Sequence, residues 1–98
     1  MKTVTIEKIV FEFEARESGI VFAMKAYYLK PPHNGDALVE IFKDGKPYKR
    51  FLFPAYKIWN IGAHWHDIVD SELAGNRQGY DLAGWDGFQV IEPQELNP

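Results

Sequence analysis

The chain of 98 residues contains no cysteine. That absence excludes disulfide staples, thiolate nucleophiles and every zinc site that uses a thiolate ligand. Long apolar runs are lacking too. The opening segment MKTVTIEKIVFEFE carries Glu7, Lys8, Glu12 and Glu14 inside its apolar pattern, which suits neither a secretory leader nor a membrane span. No lysine-serine or lysine-threonine pair stands in a phosphate-loop pattern. Gly75, Gly79, Gly84 and Gly87 follow a helical pattern instead of preceding one, so their amides have no helix N-terminus to converge on. Asp81 and Asp86 lack the spacing of a calcium loop. Basic residues are scarce in the last part of the chain. Residues 58–98 hold Arg77 against seven acidic groups, a net −6, whereas residues 43–57 hold five basic groups against Asp44, a net +4. Residues 1–42 are near balance at −1. Such segregation shapes local potential more than the total of −3 does.

What is present is a globular composition: 46% apolar and 15% aromatic, above the range of disordered chains. One domain over 1–98 is expected, long enough to bury a core without staples, with 93–98 as a frayed tail. A cytoplasmic location is expected, since the lack of cysteine suits a reducing compartment.

Pro54 to Gly75 is the one segment that reads as a long helix, with residues 56–73 helical. On a wheel of 100° per residue, Ile58, Ile61, Gly62, Trp65, Ile68, Val69 and Leu73 fall in an arc of roughly 140°, a core-facing stripe. Asn60, His64, Asp67 and Ser71 fall opposite. Trp59, Ala63, His66 and Asp70 form a flank at spacings of four, three and four, which stack along one line. Pro54 suits a helix start and Gly75 a left-handed C-terminal cap.

Strand patterns precede the helix. Val4 and Ile6 alternate on one phase, Ile9, Phe11 and Phe13 on the other, so a β-bulge is expected at Glu7-Lys8. Ala15 to Gly19 reads as a turn and Ile20 to Leu29 as a second strand. Ala37–Lys43 and Lys46–Phe53 form a hairpin about Asp44-Gly45, a favoured two-residue turn. That turn predicts Glu40 opposite Lys49, Ile41 opposite Tyr48, Val39 opposite Arg50 and Leu38 opposite Phe51. Pro47 marks the second arm as an edge. Residues 76–87 read as a glycine-rich connection and Phe88–Glu92 as a short strand. The fold class is therefore α+β (ββββαβ): a four-stranded antiparallel meander with one long helix packed across one face and a short C-terminal strand.

Candidate sites follow from these placements. His64 and His66 diverge by about 200° on a helix and cannot share one ion easily, so neither a metal nor a cofactor is expected. The local pair expected there is His66 with Asp70, leaving His64 solvated. Ser71, His64 and Asp67 share the polar face but have no oxyanion hole or pocket around them, so no catalytic residue is assigned. The ligand or partner surface is placed at Trp59, His66, Asp70, Tyr80 and Trp85, because exposed aromatics favour interfaces. The basic hairpin Lys43, Lys46, Lys49, Arg50 and Lys57, interleaved with Tyr48, Phe51, Phe53 and Tyr56, has the mix of charge and stacking found in nucleic-acid surfaces, though lysine gatekeepers on a solvated edge strand are the commoner explanation of such a pattern. The expected function is a non-enzymatic interaction module: a self-associating small accessory protein of bacterial or phage type, forming a homodimer through the Lys46–Phe53 edge or the Trp59 flank. Two alternatives stand beside it. One is a small apolar or aromatic ligand held in an aromatic pocket between sheet and helix. The other is nucleic acid on the basic hairpin.

Overall fold

The computed structural model describes residues 4–85, together with the backbone at 89–90 and 96–97. Four strands form an antiparallel meander: β1 (Val4–Glu17), β2 (Ile20–Leu29), β3 (Asp36–Lys43) and β4 (Lys46–Pro54). Each tight hairpin turns on two residues with positive φ. Ser18 and Gly19 stand at 54° and 78°, and Asp44 and Gly45 at 50° and 81°. That backbone twist matches the twist of the flanking strands. Because Ser18-Gly19 closes a two-residue turn, β1 runs on through Ala15, Arg16 and Glu17, which sequence reading assigned to the turn. Asp44 also anchors its hairpin to β2: its N–H donates to the Val21 carbonyl at 2.7 Å, and its carboxylate accepts from the Val21 N–H at 3.0 Å.

The bulge expected at Glu7 is present, as a register shift between Ile6 and Lys8. A second shift lies between Ile9 and Phe11. The hairpin register differs from the expectation by one residue. Lys43 opposes Lys46 and Phe42 opposes Pro47, but a bulge then sets Ile41 against Lys49, Glu40 against Arg50, Val39 against Phe51 and Leu38 against Leu52. Tyr48 is the extra residue. Proline cannot donate to a ladder, so strands place it at an edge or beside a bulge, and Pro47 has both here.

One sheet face carries the main core. Phe22, Met24, Ala26, Ala37, Val39, Ile41 and Phe53 are buried there against Ile58, Ile61, Trp65, Ile68 and Val69. The opposite face has a smaller cluster of Val4, Leu29, Leu38 and Leu52. Burying a side chain of this size contributes about 1.5–3 kcal/mol, so the two clusters dominate the stability.

The single long helix is replaced by shorter pieces. A 3₁₀ turn at Ala55–Lys57 leads into α1 (Ile58–Ala63), and α2 (Trp65–Ala74) follows. The backbone leaves helical geometry at His64, with φ −101° and ψ 24°. Gly62 lies just before the break. A Cβ there would sit 3.2 Å from the Phe11 and Phe13 rings, so its absence lets α1 lie close on β1, and glycine restrains the backbone least. The expected core positions are buried except Leu73, which is 39% exposed. Ser71, expected in solvent, is only 2% exposed. The reason is a third helix, α3 (Gln78–Leu82), where a loop was expected. It crosses α2 so closely that a Cβ on Gly79 would collide with the Asp67 carbonyl, and the Gly79 N–H donates to Ser71 Oγ at 2.6 Å. Gly75 takes the left-handed cap at φ 71°.

Beyond α3, Gln89–Val90 pairs with Leu52 and Phe51 of β4, and Leu96–Asn97 lies parallel to Val4 and Thr5 of β1. Apart from these two-residue backbone pairings, the expected strand 88–92 and tail 93–98 lie outside the described residues.

Candidate interaction surface

The two outer strands of the meander, β1 and β4, are built differently, and three of the cations that sequence reading singled out, Lys46, Lys49 and Arg50, lie on β4. On β4, pairing with Gln89–Val90 covers Phe51 and Leu52. The remaining outer stretch, Lys46 to Arg50, contains Pro47 and the Tyr48 bulge. Three of its side chains, Tyr48, Lys49 and Arg50, are tied back into the protein. Lys49 Nζ reaches Glu72 Oε2 at 2.8 Å, and Tyr48 OH donates to Glu72 Oε1 at 3.1 Å. Tyr80 OH donates to the same Oε2 at 2.7 Å. One carboxylate on α2 thus links β4 to α3. Burial alone would raise the Glu72 pKa, but the Lys49 ammonium and the Tyr80 and Tyr48 hydroxyls outweigh it and hold the carboxyl below its ordinary range. Burial and the neighbouring carboxylate push both Tyr80 and Tyr48 upward.

These contacts occupy much of the basic hairpin. Arg50 Nε donates to the buried Glu40 at 2.6 Å on the face away from the helices. Beside it Tyr27 is pushed up to about 12 by burial and by the charge and hydrogen bond of Glu40. Lys57 Nζ donates to the Gly84 carbonyl at 3.0 Å. Lys43 lies over the Tyr48 ring at 4.0 Å. Of the five cations, Lys49 and Arg50 are neutralised by carboxylates. That leaves a small positive surface at the hairpin tip, short of the many phosphate contacts on which nucleic-acid affinity rests.

On β1 the outer side is paired only at Val4 and Thr5 among the described residues. From Phe11 to Glu17 its register with β2 is unbroken. Seven consecutive residues therefore present a regular strand edge. An aromatic row stands beside it. The Phe13 and Phe11 rings stack at 4.9 Å, and Phe11 meets Trp59 of α1 at 5.1 Å. Trp59 remains 57% exposed, and Tyr56, one turn earlier, is 88% exposed.

The five residues of the expected partner surface are thus divided. Trp59 stands by β1. His66 and Asp70 are exposed on α2, and the histidine–carboxylate pair that forms is the other one, His64 Nδ1 with Asp67 Oδ2 at 2.9 Å. Residues three apart are neighbours on a helix, so this pair forms at ordinary helical spacing. Tyr80 is buried against Phe51, with ring centroids 6.3 Å apart, and against Trp85 at 5.9 Å. Arg77 lies over Trp85 at 4.2 Å. Tyr80 and Trp85 therefore belong to the core and its margin, while Leu82 between them is 56% exposed. Among the described residues no three His, Asp or Glu side chains converge as a metal site would require. The space between sheet and helices is filled by Phe22, Met24, Phe53, Ile61 and Ile68. A groove of about 280 Å³ lies instead between α2 and α3, lined by Asp67, Asp70, Asn76 and Gln78 and by no aromatic ring.

Two features escaped sequence reading. Glu72 looks like any solvated helix carboxylate until α3 closes over it. The expected meander already placed β1 at an edge, but only the Lys46–Phe53 edge and the Trp59 flank were weighed as association surfaces, because the regular stretch from Phe11 to Glu17 emerges only once the bulges at Glu7 and Val10 are placed. Comparison with protein-family models, with curated proteins and with solved structures gave no match. No helix of the described residues is long and apolar enough to cross a membrane.

Proposed function

We propose that this chain is a non-enzymatic interaction module that self-associates through the outer edge of β1. The observation that carries the reading is the pairing of two features in one place: an unbroken strand edge from Phe11 to Glu17 and the exposed Trp59 packed on Phe11 beside it. Unpaired backbone N–H and C=O groups along a regular edge template pairing with another strand. Trp59 adds a large rigid aromatic surface with little rotamer entropy to lose, the typical anchor of an interface. A second copy of the chain is the simplest occupant, because a two-fold interface needs only one self-complementary patch.

Light scattering over a concentration series tests the proposal. The chain is expected to move from one to two copies with rising concentration. Trp59→Ala is expected to weaken the dimer about tenfold, in line with loss of an interface aromatic worth somewhat over 1 kcal/mol. A strict monomer at high concentration contradicts the proposal. So does a dimer whose affinity Trp59→Ala leaves unchanged.

A further inference from the structure

Self-association through β1, taken as the premise, also has a register that the strand itself specifies. Strand alternation puts Phe11, Phe13 and Ala15 on the helix-bearing face and Glu12, Glu14 and Arg16 on the other, all three exposed. Glu12 opposes Lys25 on β2 and makes an ion pair with it at 3.6 Å, while Glu14 opposes Ala23 and Arg16 opposes Val21; Glu12 remains exposed enough to meet a second cation from the other edge of the strand. A two-fold axis perpendicular to the sheet sets two β1 strands antiparallel and keeps like faces together. The axis must pass at one residue, and the charges distinguish the choices.

With the axis at Phe13, Glu12 opposes Glu14 twice, and both contacts repel. With the axis at Ala15, Phe11 and Glu12 fall opposite the Ser18-Gly19 turn, and only residues 13–17 pair. With the axis at Glu14, all seven residues of the regular stretch find partners. Glu12 then opposes Arg16 twice, Phe13 opposes Ala15 twice, and Phe11 opposes Glu17 twice. Opposite charges directly across a strand pair stabilise it, and like charges oppose it. The single unfavourable contact is Glu14 against its own copy, in solvent where screening is strong. We infer that two copies pair antiparallel along β1 with the two-fold axis at Glu14. The two meanders then make one continuous eight-stranded sheet with both helix layers on the same side. Each Trp59–Phe11 pair stands at an end of the joined segment.

The native chain has no cysteine, so a single introduced thiol reports the register without background. Residues directly opposite across antiparallel strands have Cα atoms about 4.5–5.5 Å apart, within disulfide reach. Under mild oxidation, Glu14→Cys is expected to give the highest cross-linked fraction among single variants at positions 12, 14, 15 and 16. A mixture of Glu12→Cys and Arg16→Cys chains is expected to cross-link more than either alone. Glu14→Gln, which removes the one like-charge contact, is expected to tighten the dimer about two- to five-fold. A maximum at Ala15→Cys or Glu12→Cys overturns the register but leaves the β1 edge as the interface. Failure to cross-link at any of the four positions, in a sample that scatters as a dimer, overturns both.

Discussion

The two outer strands of the meander, β1 and β4, differ in how they are built. β4 is interrupted by Pro47 and by the bulge at Tyr48, and Gln89–Val90 covers part of it. It presents Lys46 at its start, and Lys49 is drawn back to Glu72. Those are the devices by which sheet proteins prevent edge-to-edge pairing. β1 has its two bulges early, at Glu7 and Val10. Beyond them it runs straight for seven residues beside an exposed tryptophan. Charge does not distinguish the two strands, since both carry charged side chains in abundance; irregularity and tethering do.

The comparison can be broken most severely from the side of β4. Its tether depends on α3 holding Tyr80 beside Glu72, and α3 depends on Gly79. Gly79→Ala drives a Cβ into the Asp67 carbonyl, which forces backbone movement and is expected to cost about 3 kcal/mol. Urea unfolding of the variant measures it. Loss of α3 packing is also expected to increase the mobility of Tyr48 and Lys49, seen as broadened or shifted amide resonances.

A smaller effect comes from the carboxylate itself. Glu72→Gln keeps the shape but removes the charge from three donors, and is expected to cost about 1–2 kcal/mol, because hydrogen bonds to charged groups exceed neutral ones and Lys49 is half-solvated. The pH dependence follows. The folded pKa of Glu72 is depressed, so its contribution is fully present above the ordinary carboxyl value of 4.5 and is lost as pH falls through the depressed value. The folded pKa values of Tyr80 and Tyr48 are raised, so their contribution holds below the ordinary value of 10.0 and is lost above it as they ionise. Stability of the native chain minus that of Glu72→Gln, followed by denaturant titration, is expected to form a plateau between those limits. A difference that persists unchanged at pH 2 contradicts the assignment.

Much of this architecture was legible in the sequence. Alternation located the four strands, and Asp44-Gly45 located a turn because its positive φ values exclude most residue pairs. The 3.6-residue period found Ile58, Ile61, Trp65, Ile68 and Val69, and these are buried. The failures share a cause. A bulge moves every later pair by one residue at little local cost, so Glu40 met Arg50 instead of Lys49. The close approach of Gly62 to the Phe11 and Phe13 rings is a contact made across the fold, which a helical wheel does not show. Gly79 read as a loop glycine because its need for close approach to Asp67 arises only once α2 is in place. Trp59 was singled out from its position off the core arc, but its neighbour Phe11 comes from a strand 48 residues earlier.

The smallest expected effect is on the defended edge. Lys46→Glu reverses an exposed charge at the start of β4, and both stability and dimer affinity are expected to change by less than about 0.5 kcal/mol, as for surface substitutions away from special features. Thermal unfolding and light scattering measure the two quantities. A marked rise in association would show that the lysine had been holding β4 apart from other chains.

The central claim is that β1, and not β4, is the edge on which another copy pairs. Amide hydrogen exchange at low and high protein concentration tests it residue by residue. Alternate amides along an edge strand point outward, so the outward half of the N–H groups from Phe11 to Glu17 are expected to gain protection as concentration rises, while those from Lys46 to Arg50 keep their rates. Protection rising on Lys46–Arg50 with β1 unchanged, or exchange independent of concentration on both strands, would contradict the account.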